Sequence, residues 1–159
     1  MPNNGLVYFS GSIHGDRSAL EVMKHCVKTI KQLGFTVLTE YVAANDPRVA
    51  LAEKLKIRPE AITNVDIERY DLAWLKQASF VIAEVSYPST GVGREIEYGR
   101  VKGETGLPPA RVLCLYNAAQ TVTPMILGMT PDRYPNVMVR SYDSLAEAEK
   151  IVQEFLLAS

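Results

Sequence analysis

Phe80-Val81-Ile82-Ala83-Glu84-Val85, followed by Pro88-Ser89-Thr90-Gly91-Val92-Gly93-Arg94-Glu95, is an apolar run that feeds a turn of proline, hydroxyls and glycines. A short run this apolar reads as a strand buried on both faces, the kind found in parallel sheets covered by helices. The turn opens a helical pattern that continues to about Lys102. At helical spacing, positions 92, 95, 96, 99 and 103 share one face: Val92, Glu95, Ile96, Gly99 and Gly103. Glu95 is the one charge on that inward stripe, whereas Arg94, Glu97, Arg100 and Glu104 fall on a solvated face. Burying a carboxylate is costly unless a partner or a chemical role holds it there.

The rest of the chain alternates in the same way. Strands are expected at Leu6–Ser10, Phe35–Thr39, Phe80–Val85, Arg111–Leu115 and Asn136–Arg140. Helices are expected at Arg17–Leu33 with Gly34 as its stop, at Glu60–Gln77 started by Pro59, and at Ser144 to about Leu156. A short helix is expected around Thr123–Met129, and Ser144 with Glu147 has the form of a capping box. The stretches Ala43–Arg58 and Gly103–Ala110 read as surface loops or short helical insertions. Strands alternating with helices predict an α/β fold: a three-layer, flavodoxin- or Rossmann-like domain spanning 1–159, with a five-stranded parallel sheet in the order 2-1-3-4-5. Ligands of such sheets bind beyond the carboxyl ends of the strands.

Composition narrows the function classes. The 159 residues carry a net charge of −1, which offers no general attraction to nucleic acid or anionic lipid. No run approaches a membrane span, and the opening Met1-Pro2-Asn3-Asn4-Gly5 is too polar and too short for a signal peptide. The two cysteines, Cys26 and Cys114, lie in apolar surroundings without paired spacing, so neither a disulfide scaffold nor a zinc site is expected. A reduced protein of the cytoplasm follows, with the nucleus as the alternative compartment.

Three features could carry chemistry. After the first strand comes Ser10-Gly11-Ser12-Ile13-His14-Gly15-Asp16-Arg17. Glycines there let backbone approach a ligand, and hydroxyls of Ser10 and Ser12 with His14 or Arg17 would suit a phosphate at a helix start. A plain strand-to-helix turn, capped by Ser12 or Asp16, is the equal alternative. Ser89-Thr90-Gly91-Val92-Gly93 repeats the pattern at a second helix start, and Glu95 is read as lying in that helix's first turn. The dipole there would lower its pKa, as suits a nucleophile. Asp71 is the second anomaly: with Ile67, Trp74, Leu75 and Ala78 it forms an inward stripe on which it alone is charged. A core carboxylate bonded to backbone is the competing explanation. Two inward carboxylates beside one strand fit the pair used in retaining glycoside hydrolysis. Tyr8, on the first strand, is either a core aromatic or a hydroxyl entering the site.

Taken in order, Tyr8-Phe9-Ser10-Gly11-Ser12-Ile13, Val37-Leu38-Thr39-Glu40-Tyr41-Val42-Ala43-Ala44, Asp71-Leu72-Ala73-Trp74-Leu75, Val81-Ile82-Ala83-Glu84-Val85, Pro88 to Glu95 and Val112-Leu113-Cys114-Leu115-Tyr116 resemble the 2′-deoxynucleoside 5′-phosphate N-hydrolases of the nucleoside 2-deoxyribosyltransferase superfamily. The resemblance runs from residue 7 to at least residue 128. It implies that Glu95 attacks C1′ to form a covalent sugar ester, that Asp71 assists the leaving base, and that the Tyr8 hydroxyl lies close to the nucleophile. It implies sugar- and phosphate-binding roles for Gly11, Ser12, Ile13, Ser89 and Gly91, and no metal or organic cofactor. Thr123, in Thr123-Pro124-Met125-Ile126, occupies the place of a serine that reaches the phosphate of a neighbouring subunit. A homodimer with shared sites, bordered also by Met125, is the implication. His14 stands where mammalian members have arginine, and Arg17 is the candidate to supply that charge. The alternatives are a deoxyribosyltransferase, which passes the sugar to a second base, and a nucleotide-binding module without turnover.

Overall fold

A computed structural model of the chain describes residues 4–158; Met1–Asn3, the start of the polar opening stretch, lie outside the described residues, as does Ser159. The strands are β1 (Leu6–Ser10), β2 (Thr36–Val37), β3 (Phe80–Glu84), β4 (Arg111–Asn117) and β5 (Val137–Tyr142). All pair in parallel, in the order β2-β1-β3-β4-β5. Six helices connect or flank them among the described residues: α1 (Leu20–Gln32), α2 (Pro47–Leu55), α3 (Asn64–Gln77), α4 (Thr90–Val101), α5 (Pro124–Leu127) and α6 (Leu145–Leu157). Fold class and strand order are those expected from the sequence.

Strand side chains alternate between two cores, as a period of two requires. Val7, Phe9, Ile82 and Leu113 pack with Met23, Cys26 and Ile30 of α1 and Ile151, Val152 and Phe155 of α6. Tyr8, Val81, Ala83, Val112 and Cys114 pack on the other face with Leu75 of α3 and Val92 and Ile96 of α4. Tyr8 pairs with Val81, and Val81 with Val112, so this second face is in register across the sheet. Gly99 lets α4 sit close: a Cβ there would lie 2.8 Å from a methyl of Val81. No helix among the described residues is long and apolar enough to cross a membrane.

Several boundaries differ from expectation for local reasons. Helix α3 starts at Asn64 rather than Glu60, because Pro59 opens a separate 3-10 turn, Pro59–Ala61. Its true start is a capping box in which Asp66 N donates to Thr63 Oγ1 at 3.1 Å and Thr63 N donates to Asp66 at 3.0 Å. Helix α1 starts at Leu20 rather than Arg17, after a turn in which Ser18 N donates to Asp16. Strand β2 is two residues long, not five. At Thr39 the side chain replaces the ladder: Phe9 N donates to its hydroxyl at 2.8 Å, and the hydroxyl donates to Phe9 O at 2.6 Å. The stretch expected as loop or short helix contains α2, started by Asp46 as its cap.

Helix α4 also ends out of phase with its stripe. A 3-10 turn, Lys102–Thr105, follows it, so Lys102 is buried where Gly103 was expected and Gly103 is exposed. The Lys102 ammonium donates to the carbonyls of Leu75 (3.0 Å), Lys76 (3.1 Å) and Ala78, capping the end of α3 whose last carbonyls lack helical partners. Lys102→Met would keep the aliphatic stem and leave those acceptors unpaired, so chemical denaturation should show a loss of about 1–3 kcal/mol. An unchanged unfolding midpoint would refute the capping role.

Candidate functional site

The site is built where β1 ends beneath α3 and α4. Tyr8 and Ser10, two residues apart, point to the same face of the sheet, and Glu95 reaches down to them from α4. Ser10 Oγ donates to Glu95 Oε2, and the Tyr8 hydroxyl lies beside the same carboxyl group, where it favours the ionised form. Ser10 is fully buried and Tyr8 is 1% exposed, so both hydroxyls are enclosed next to Glu95. Burial pushes the Tyr8 phenol far above its ordinary value, with the charges of Glu95 and Asp71 adding to the rise. The tyrosine is therefore a neutral donor.

Glu95 is the sixth residue of α4, in its second turn, not its first. The helix end is capped by Ser89, whose hydroxyl accepts from Val92 N. The expected lowering of the Glu95 pKa by the dipole is overturned: burial pushes it up to about 7, against the opposing Ser10 and Tyr8 hydrogen bonds, and the charge of Asp71 adds to the rise. Asp71 is also raised by burial, to about 6. Its carboxyl accepts from the Tyr41 hydroxyl at 2.6 Å, and Tyr41 stands in the 3-10 turn Glu40–Ala43 that follows the Thr39 clamp. Trp74 lies beside Tyr41 and Tyr70, with ring centroids 6.2 and 5.8 Å away, as packing.

The first turn runs close to α1: a Cβ on Gly11 would come within 2.2 Å of Met23 Sδ, so a side chain here would have to displace the end of Met23. The second turn is anchored from below by Glu84, which is 3% exposed. Its carboxyl accepts from Ser86 N (3.3 Å), the Ser86 hydroxyl and the Tyr142 hydroxyl (2.8 Å), while Asn117 N donates to Ser86 Oγ at 2.7 Å. The ends of β3, β4 and β5 are thereby tied together just before Pro88-Ser89.

Between these turns and helices lies a cavity of about 540 Å³. Gly11, Ser12, Ile13, His14, Asp71, Ser89, Gly91 and Glu95 all line it, with Tyr8 behind its wall. Arg17 does not. Its guanidinium is used up in a brace, donating to Ser12 O (3.0 Å), Val42 O (3.0 Å) and Ala44 O (2.6 Å). Thr123 and Met125 lie outside as well, on an adjoining groove of about 270 Å³ that shares Pro88, Ser89 and Val92 with the cavity. Thr123 caps α5, and Met125 is 81% exposed. Ser10, read from the sequence as a phosphate hydroxyl, serves Glu95 instead. Tyr41, Asn64, Glu68 and Arg94 line the cavity without having been singled out. The spacing of Asn64, Glu68 and Asp71 along one helix face was the available signal for two of them. Among the described residues no group of three or more His, Cys, Asp or Glu could hold a metal ion. Cys26 and Cys114 are free and buried, their thiols pushed up to about 12 by burial.

No protein-family model matches the chain. A solved structure, the CMP N-glycosidase of Clostridium botulinum, shares the fold with a TM-score of 0.57 over 93% of this chain and 98% of that one, at 14% identity. Sequence relatives are much nearer. A Methanosarcina barkeri protein classed with the 2′-deoxynucleoside 5′-phosphate N-hydrolases is 37% identical over 96% of this chain and 85% of its own length. The human 5-hydroxymethyl-dUMP N-hydrolase is 36% identical over 80% of this chain and 67% of its own, and that of Esox lucius 31% identical over 94% of each. The chain therefore belongs to the 2′-deoxynucleoside 5′-phosphate N-hydrolase family.

Proposed function

We propose that the chain hydrolyses the N-glycosidic bond of 2′-deoxynucleoside 5′-monophosphates, giving free base and 2-deoxyribose 5-phosphate. The observation that carries this is the placing of two half-buried carboxyl groups, Glu95 and Asp71, in one cavity whose wall includes the hydroxyl-and-glycine start of α4. The names of the N-hydrolase relatives support it.

In the proposed mechanism Glu95, ionised, attacks C1′ as the bond to the base breaks, and Asp71 gives its proton to the departing base. A sugar–carboxylate ester results. Water then attacks C1′, losing a proton to Asp71 and freeing Glu95, which restores both groups. Such a cycle needs one proton for two carboxyls near neutral pH, and burial raises both groups into that range. A sugar turning cationic at C1′ favours ionisation of the carboxyl nearest it, which is Glu95 in this mechanism. The hydrogen bond from Ser10 and the neighbouring Tyr8 hydroxyl favour the same outcome.

The active unit is read as a homodimer with shared sites, in the cytoplasm or the nucleus, where buried free thiols stay reduced. Support comes from the exposed Met125 and Leu127 beside the apolar groove that borders Ser89. A second copy seated there would bring its own α5, with Thr123 at its cap, to the first copy's cavity.

A base-release assay across the deoxynucleoside monophosphates, 5-hydroxymethyl-dUMP included, is the direct test. Glu95→Ala should lower turnover by at least about a thousandfold while circular dichroism stays that of the wild type; near-normal turnover would refute the mechanism. A new nucleoside on adding a second free base would point to a transferase.

The pH profile gives an independent check. Because the pair must hold one proton, kcat/KM should be bell-shaped, falling on the acid side as the second carboxyl takes up a proton and on the alkaline side as the last proton is lost. Ser10→Ala removes a bond that favours the Glu95 carboxylate, so it should move one limb of this profile to higher pH. A profile unchanged on both sides would separate Ser10 from Glu95.

Subunit mixing tests the shared site. A Glu95→Ala protein and a Thr123-disrupted one, exchanged into mixed dimers, should recover activity, since one site then carries both defects and the other neither. No recovery after verified exchange would argue that each site is complete in one chain.

A further inference from the structure

A phosphate dianion leaving water needs charge as well as hydrogen-bond donors, and the sequence offered His14 or Arg17 for it. Neither fits well. Arg17 is absent from the cavity lining and is held by three backbone carbonyls, and His14 carries an imidazole rather than a permanent cation. Among the described residues that line the cavity, Arg94 is the one guanidinium or ammonium; the other ionisable side chains there are His14, Tyr41, Glu68, Asp71 and Glu95.

Arg94 stands in the second turn of α4. Helical side chains lean toward the start of their own helix, which aims Arg94 back over Thr90 and Gly91, the cavity's anion-favouring wall. In the free protein it is held from the opposite wall instead. Its Nη2 lies 2.7 Å from Oε1 of Glu68 on α3, with the two side chains 61% and 45% exposed. An exposed pair of this kind is weak and salt-sensitive. A dianion at the end of α4 carries more charge than Glu68 and offers a guanidinium several acceptor oxygens.

We propose that Arg94 is the cation that selects the 5′-phosphate, exchanging Glu68 for the phosphate when substrate binds. Glu68 thereby acts as a competitor built into the empty site. The proposal rests on the monophosphate hydrolase activity proposed above, and it gives the two partners opposite signs. Removing Arg94 weakens phosphate recognition; removing the charge of Glu68 strengthens it.

The test compares each monophosphate with its unphosphorylated nucleoside in wild type, Arg94→Gln and Glu68→Gln. Arg94 also favours ionisation of Glu95 by its charge, so its loss slows both substrates, and the ratio of their kcat/KM values cancels that shared effect. Arg94→Gln should cut the ratio by about 10- to 100-fold, the weight of charge-assisted hydrogen bonds, chiefly through KM. Glu68→Gln should raise the ratio. Calorimetry with inorganic phosphate alone supplies a readout independent of turnover: weaker binding in Arg94→Gln, tighter in Glu68→Gln. A wild type that prefers monophosphates, with Arg94→Gln keeping the full preference, overturns the Arg94 assignment and leaves the hydrolase activity standing. A wild type with no preference for the phosphate overturns both. Unchanged phosphate binding in both variants overturns the assignment whatever the activity.

Discussion

The carboxyl of Glu95 hangs from α4 onto the end of β1, and the hydrogen bond it accepts from Ser10, with the Tyr8 hydroxyl beside it, joins the two halves of the site. A half-buried carboxyl is held there because a donor faces it, and Ser10 can stay buried because Glu95 accepts from it. Much of the surrounding structure follows from holding that junction. Gly99 lets α4 lie against β3, and Gly11 lets the chain turn away over α1 directly after Ser10. Glu84, on the opposite face of β3, fixes the turn from which α4 departs.

Asp71 comes to the junction by a longer route. Thr39 ends the β2 ladder by bonding both backbone groups of Phe9, which sets the 3-10 turn that presents Tyr41. Tyr41 then orients Asp71 from α3, and Lys102 ties the far end of α3 to the segment following α4. The two acidic groups thus share a cavity because α3 and α4 pack on the same face of the sheet and are tied together at the Lys102 end. Their raised pKa values have one principal cause, the low polarity of the cleft that these helices form with the sheet.

The fold and the two carboxylates were legible in the sequence for the same reason. Apolar strands and helical stripes have fixed periods, and a lone charge on a stripe, such as Glu95 or Asp71, interrupts the period visibly. What could not be read depended on contacts between distant segments. Ser10 looks like a ligand hydroxyl until Glu95 is placed above it, and Arg17 looks free until Val42 and Ala44 come round to it. The pKa of Glu95 lies opposite to the dipole expectation because Glu95 stands in the second turn of α4, where the dipole acts more weakly, and because no pattern reports the depth of a cleft. Lys102 was hidden by a change of helix type that shifted the phase of the stripe. Thr123 and Met125 rest on family resemblance, and their position on a neighbouring groove has no counterpart in local sequence pattern.

The central claim, that Glu95 carries the sugar, is tested most directly by trapping the intermediate. Wild-type protein mixed with a deoxynucleoside monophosphate is quenched in acid within a single turnover, digested, and its peptides weighed by mass spectrometry. The account predicts a 2-deoxyribose 5-phosphate ester on Glu95, absent when Glu95→Gln protein is used. The same adduct on Asp71 or Tyr8 would contradict it.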